Sequence, residues 1–228
     1  MTQIMQRLRV FAVVCASMLA FAQPARANMM TYHYDTWLGS GAAPATSPYG
    51  TITLDDHGSP NVTVTVQLAS GLGFVSTGAG ESLLWELTGT PDISSSVTGL
   101  TSGFTLTGDG TGGLIHADGS GDWHYAVNCY DGTSPDACGS GGSSPYTGTL
   151  SFTINGVSLS DFTTNNYGNY FATDVCTLVS NGTCVGNTGD ITTKGPGTSV
   201  PEPAPLALLA IGLTVLGFTQ RRRNTRKR

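Results

Sequence analysis

Asn61-Val62-Thr63-Val64-Thr65-Val66-Gln67-Leu68 is the stretch that decides the fold class. Val62, Val64, Val66 and Leu68 alternate with Thr63, Thr65 and Gln67. A strict period of two places the apolar set on one face and the polar set on the other, the pattern of a half-buried antiparallel strand. Downstream, Leu150, Phe152 and Ile154 alternate up to Asn155-Gly156. Asn-Gly accommodates the two positive φ values of a type I′ turn, so a tight hairpin is predicted, with Ile154 opposite Val157 and Phe152 opposite Leu159. Upstream, Thr51-Ile52-Thr53-Leu54 reads as a short strand closed by Asp55-Asp56-His57-Gly58, and Tyr32 to Trp37 as another. Phe104 to Thr107 and Trp123 to Val127 add two more. In Ser82 to Leu87, a strand would place Leu83, Trp85 and Leu87 on one face and Leu84 and Glu86 on the other, which makes Trp85 a core residue. Many short strands separated by turn signals roughly every eight to twelve residues predict an antiparallel β-sandwich or jelly roll over residues 28–190. A flexible linker is expected over 191–199, where Lys194-Gly195-Pro196-Gly197-Thr198 lies.

The two ends of the chain have a different character. Met1 to Ala27 carries Arg7 and Arg9, then the apolar run Val10 to Phe21, then Ala25-Arg26-Ala27, the three parts of a secretory signal. Signal peptidase is expected to cut between Ala27 and Asn28, removing Cys15 with the signal. At the other end Pro201-Glu202-Pro203 stands in a proline-rich strip, followed by the uncharged run Leu206 to Phe218 and by Arg221-Arg222-Arg223-Asn224-Thr225-Arg226-Lys227-Arg228. Three prolines in five residues favour an extended segment accessible to a processing enzyme. Residues 204–220 number 17, the short end of what a membrane-spanning helix needs, and the basic cluster behind them is expected on the cytoplasmic side.

This tail, residues 200–228, resembles the PEP-CTERM sorting signal of exported Gram-negative bacterial proteins. The resemblance covers about the last eighth of the chain, with the three parts in order. It implies recognition of Pro201, Glu202 and Pro203 by an exosortase, a transient membrane anchor through the 204–220 helix, and release to the cell surface or extracellular matrix. It also implies association with exopolysaccharide or biofilm. A permanent single-span anchor behind a proline-rich linker is the alternative.

Without these ends the body is strongly acidic. Of ten Lys and Arg only Lys194 belongs to residues 28–199, whereas fourteen of fifteen Asp and Glu do, for a formal charge of −13 against −5 for the whole chain. Such a surface repels phosphate backbones and anionic headgroups, which excludes nucleic acid as a partner. Arg, the residue best suited to gripping carboxylates and phosphates, is missing from the body altogether. The cysteines left after signal removal are Cys129, Cys138, Cys176 and Cys184, an even number in an oxidising compartment. Their spacing is too long for a zinc knuckle. Two local bridges are the economical reading, although four cysteines allow three connectivities.

Candidate chemistry is sparse. There is no G-x-S-x-G and no H-E-x-x-H, and His33, His57, His116 and His124 are scattered. Glu81 and Glu86 flank Trp85 and form the one carboxylate pair that could serve a glycoside hydrolase. Asp118, Ser120 and Asp122 place oxygens at alternate positions, as the start of a calcium loop does, but the twelfth residue is Cys129 where such loops carry Glu. Calcium is therefore the one cofactor suggested. Trp37, Trp123 and Tyr125 are candidate stacking platforms for sugars. The expected function is a non-enzymatic exported surface or matrix protein, with a carbohydrate-binding module as the alternative and a secreted glycoside hydrolase behind it.

Overall fold

The computed structural model describes residues 28–78, 81–117, 119–133 and 135–197. The signal expected at 1–27, the sorting tail expected at 200–228 with its span at 204–220, and Asp118 lie outside the described residues. Among the described residues no helix is long and apolar enough to cross a membrane.

The first strands are β1 (Met29–Tyr34), β2 (Thr36–Trp37), β3 (Gly50–Asp55), β4 (Asn61–Leu68), β5 (Gly73–Phe74) and β6 (Leu83–Leu87). Next come β7 (Val97–Thr98), β8 (Thr105–Asp109), β9 (Ile115–Ala117), β10 (Gly121–Trp123), β11 (Tyr125–Asn128) and β12 (Leu150–Asn155). The chain closes with β13 (Phe162–Thr163), β14 (Phe171–Cys176), β15 (Val179–Ser180), β16 (Thr183–Cys184) and β17 (Thr188–Thr193). All pairings are antiparallel and no α-helix occurs among the described residues, so the domain is all-β.

Two larger sheets share one core. The first runs β1-β3-β4-β12-β7 and the second β2-β17-β14-β6-β11-β8. On β4 the alternation is realised, with Val62, Val64 and Val66 buried and Thr63 and Thr65 only partly covered. Val64 stands opposite Leu54 on β3 and Phe152 on β12, so the three strands add their apolar faces to one wall. The second sheet supplies the opposing wall through Trp85, Tyr125, Phe171 and Ile191. Trp85 meets Phe152 across the gap at 5.3 Å between ring centroids, and Tyr32 meets Phe171 at 5.0 Å. This is a sandwich-like arrangement, with Leu83, Trp85 and Leu87 facing the core as their spacing predicts.

Three local expectations change. Asn155-Gly156 does not form a hairpin: Gly156 takes φ 79°, but both edges of β12 are already occupied, by β4 and β7. The Gly156 N–H donates to the Pro60 carbonyl at 2.8 Å, and the chain crosses to the second sheet, where Phe162 pairs with Leu87. Tyr32 to Trp37 is two strands in different sheets, broken at Asp35, whose N–H donates to the Thr192 carbonyl. The segment read as a linker over 191–199 begins inside the second sheet. Ile191, Thr192 and Thr193 are fully buried in β17, and beyond them Pro196 bridges to Tyr32 while the Gly197 N–H donates to the Thr31 carbonyl at 2.6 Å. Apolar content in Lys194-flanking residues is low, and only pairing partners from elsewhere in the chain order them.

Cys129 bonds with Cys138 and Cys176 with Cys184, both attached to the second sheet. Two bridged pairs fit an oxidising compartment such as the cell exterior.

Candidate functional site

The outer face of the second sheet is roofed, and the roof carries the site. Leu84, Ala126 and Ala172 lie in one row across β6, β11 and β14. The β9–β10 ribbon covers them. Its pairs are Ile115 with Trp123, His116 with Asp122, and Ala117 with Gly121. Directly opposed residues share a face, so Trp123, Ile115 and Ala117 point inward onto the small-residue row, and His116 and Asp122 point outward.

A second segment docks on this ribbon. Thr164 to Tyr170 forms a tight loop around two buried amides. The Asn165 side-chain oxygen accepts from the Tyr167 and Asn169 N–H groups at 3.0 and 3.1 Å, and the Asn165 and Asn169 amides both donate to the Ser120 carbonyl at 2.8 Å. Gly121, at φ 109°, makes the close approach possible: a Cβ there would come within 2.5 Å of the Asn165 amide nitrogen and 2.7 Å of the Tyr167 ring. A non-glycine residue would be strained in that backbone region and would also push the loop away.

The result is a fixed polar shelf. Tyr167 is 62% exposed, the largest exposure among the big apolar side chains described. Beside it Asn166 brackets Asp122, its amide donating to Asp122 Oδ2 at 3.0 Å and its oxygen accepting from the Asp122 N–H at 3.2 Å. The other Asp122 oxygen meets His116 Nδ1. An amide carries two donors and a carboxylate roughly four acceptor positions, so these internal bonds leave outward capacity on Asn166, Asp122 and His116 Nε2.

The sequence-predicted aromatic platforms are overturned in part. Trp123 and Tyr125 are each 0% exposed, Trp123 under the roof and Tyr125 stacked on Trp85 in the main core. Trp37 is half-buried, its indole N–H donating to the Gly41 carbonyl. Period two in Trp123 to Val127 signals one buried face; this region is covered on both. Tyr167 was missed because a dense Asn, Gly and Tyr stretch reads only as a turn.

The other candidate groups are also placed. Of Asp118-Gly119-Ser120-Gly121-Asp122, expected to open a calcium loop, Gly119 and Ser120 lie in the turn before β10, and Gly121 and Asp122 begin β10 itself. Ser120 is buried, its hydroxyl accepting from the Trp123 indole at 3.3 Å, and Asp122 is engaged by His116 and Asn166. Among the described residues no group of three His, Cys, Asp or Glu gathers at a metal-binding distance. Glu86 is 6% exposed and accepts from the His124 N–H at 2.7 Å, with His124 Nδ1 at 3.0 Å. Burial pushes its carboxyl above the usual range despite the His124 contacts that oppose it. Glu81, raised by burial as well, accepts instead from the Thr107 hydroxyl at 3.2 Å. Glu81 precedes β6 and Glu86 lies within it, and the two carboxyls are held by different partners, Thr107 and His124. His33 is exposed on β1, and His57 pairs with Asp55 at 3.2 Å. A buried carboxylate pair that sequence spacing does not reveal, Asp174 opposite Asp190 on β14 and β17, lies on the same outer face. Asp174 accepts from the Thr77 N–H and hydroxyl at 2.6 Å each.

No protein-family model matches the chain, and no curated protein or solved structure does.

Proposed function

We propose that this is an exported, exosortase-processed protein of the cell surface or extracellular matrix, whose β-domain binds a neutral glycan without turning it over. The observation that carries the binding reading is the shelf of Tyr167, Asn166, Asp122 and His116, held rigid by buried amides. An exposed ring offers an apolar face to the C–H side of a pyranose, while planar amide, carboxylate and imidazole groups hydrogen-bond adjacent hydroxyls. Preorganisation limits the entropy lost on binding. The body charge of −13 opposes uronic or phosphorylated polymers and leaves neutral sugars favoured. Export and sorting rest on the Met1–Ala27 signal and on the Pro201-Glu202-Pro203 tail, and the two disulfides support an extracytoplasmic destination.

Binding of the secreted protein to the producer's purified exopolysaccharide, and to a panel of neutral and acidic glycans, tests the shelf. Tyr167→Ala should weaken binding to the neutral ligand about 3- to 10-fold with an unchanged melting temperature, and Tyr167→Phe should retain most of it. Equal binding by Tyr167→Ala, or depolymerisation of the glycan, would sink this reading. Processing is tested separately: Glu202→Ala should leave uncut precursor in the inner membrane, and intact mass of secreted wild-type protein should lack Arg221 to Arg228.

A further inference from the structure

The start of the described chain is held in an unusual way. Asn28 precedes β1 by one residue, and three hydrogen bonds join it to Asp56 in the turn after β3. Its backbone nitrogen donates to Asp56 Oδ1 at 2.7 Å, its side-chain amide donates to Asp56 Oδ2 at 3.1 Å, and its carbonyl accepts from the Asp56 N–H at 3.2 Å. The Asp56 carboxylate also accepts from the Gly58 N–H at 2.8 Å. A carboxylate is thus aimed at the very nitrogen that the expected signal cleavage would convert from an amide to a free amine.

We infer that Asp56 is a receptor for the α-ammonium group created by cleavage between Ala27 and Asn28, so that removal of the signal locks the first strand to the β3–β4 turn. The inference rests on the export reading above. Hydrolysis adds one water across the Ala27–Asn28 amide, leaving a carboxylate on Ala27 and an amine on Asn28 that takes up a proton at neutral pH. One neutral N–H donor becomes a cation with three donors, and the existing 2.7 Å hydrogen bond becomes a charge-assisted one. The titratable groups around the new terminus are Asp56 itself, Asp55 opposite Met29, and His57, whose Nδ1 lies 3.2 Å from Asp55. Asp55 therefore has its own partner, and Asp56 is the carboxylate assigned to the terminus. Burial of Asp56 works against ionisation, but the hydrogen bonds from Asn28 and Gly58 outweigh it and hold the carboxyl below its ordinary range, ionised at neutral pH. The clamp also sets a limit to trimming: loss of Asn28 would remove all three bonds and leave Met29, already in the sheet, as the terminus.

The sign of the pH dependence follows. A folded-state pKa raised above that of a free α-amine gives stability that is complete below about 7.7–8.0 and is lost as pH rises through the raised value. The test uses the secreted mature protein. N-terminal sequencing should give Asn28 first, and competitive acylation should show its α-amine titrating above the about 7.7–8.0 of a free one. Asp56→Asn should return the amine to the free value, whereas Asp55→Asn should leave it as in the wild type. A terminus other than Asn28 would overturn the cleavage point and the ion pair together. Asn28 first with an ordinary amine, or an equal drop in Asp55→Asn, would overturn the ion pair alone and leave export standing.

Discussion

The two large sheets differ in what covers them. On the five-stranded sheet, β3, β4 and β12 alternate buried and partly exposed residues along their length, and a ladder of hydroxyls faces outward, with Thr63 bonded to Thr153 at 3.0 Å. On the second sheet, β6, β11 and β14 are buried at every position. The first sheet has one solvated face and is finished by its own strands. The second needs a roof, assembled from the β9–β10 ribbon and the Thr164 to Tyr170 loop, and the exposed shelf sits on that roof. Covering a sheet on both faces thus creates a third layer whose outer surface is free to carry recognition.

The largest expected effect comes from removing the pin of that layer. Trp123→Ala should destabilise the protein by about 3–5 kcal/mol, the range for a fully buried aromatic. Hydrogen exchange should show residues 115–123 and 164–170 losing protection well before residues 51–55 and 61–68. Equal loss in both regions would mean that the roof is not a separate layer. Reduction of the disulfides comes next. Both are anchored in the second sheet, and each short loop is worth about 2–3 kcal/mol in the chain-entropy model. The melting temperature should fall without linked oligomers, and non-reducing peptide maps should show Cys129 with Cys138 and Cys176 with Cys184; a Cys129 to Cys176 peptide would contradict the structure.

Titration should set the two sheets apart by sign. Glu86, raised by burial under the roof, favours the folded state more as pH falls from 7 to 4, so wild type should gain stability relative to Glu86→Gln on acidification. Asp56, lowered at the end of the first sheet by the hydrogen bonds that outweigh its burial, contributes stability that is lost as pH falls through its folded value. Wild type should therefore lose stability relative to Asp56→Asn only below about pH 4, so that the full acid range from pH 7 downward carries both signs. Melting curves of both variants across that range check the pair, and parallel behaviour would remove the contrast. The smallest effect belongs to the solvated hydroxyl ladder: Thr63→Ala should cost about 0.5–1 kcal/mol or less, measured by urea unfolding. A loss as large as that of Trp123→Ala would show the first sheet's outer face to be covered after all.

How much of this was legible in the sequence varied with solvent. Val62 to Leu68 declared its strand because water on one side forces alternation, whereas Leu83, Trp85 and Leu87 declared the core face by period-two spacing alone, since β6 is buried on both faces. The acidic body, the even cysteine count and the local character of the two bridges were also within reach of composition and spacing. Trp123 and Tyr125 were not, because an aromatic side chain carries the same letter whether it meets sugar or core. Asn155-Gly156 offered a turn, yet whether a hairpin follows depends on whether the edges of β12 are free, and β7 and β4, contributed by distant segments, fill them. Ile191 to Thr193 looked too polar for an interior strand until β14 and β2 supplied partners on both sides. Tyr167 stands exposed where it does because Gly121, more than forty residues earlier, lets the asparagine loop settle on the ribbon. The chain by itself thus determined the strand class, the charge and the inward residues of half-solvated strands, since these follow from neighbours in sequence. Which faces are roofed, and so which side chains remain outside, was decided by contacts between segments far apart in the chain, on which local periodicity carries no information.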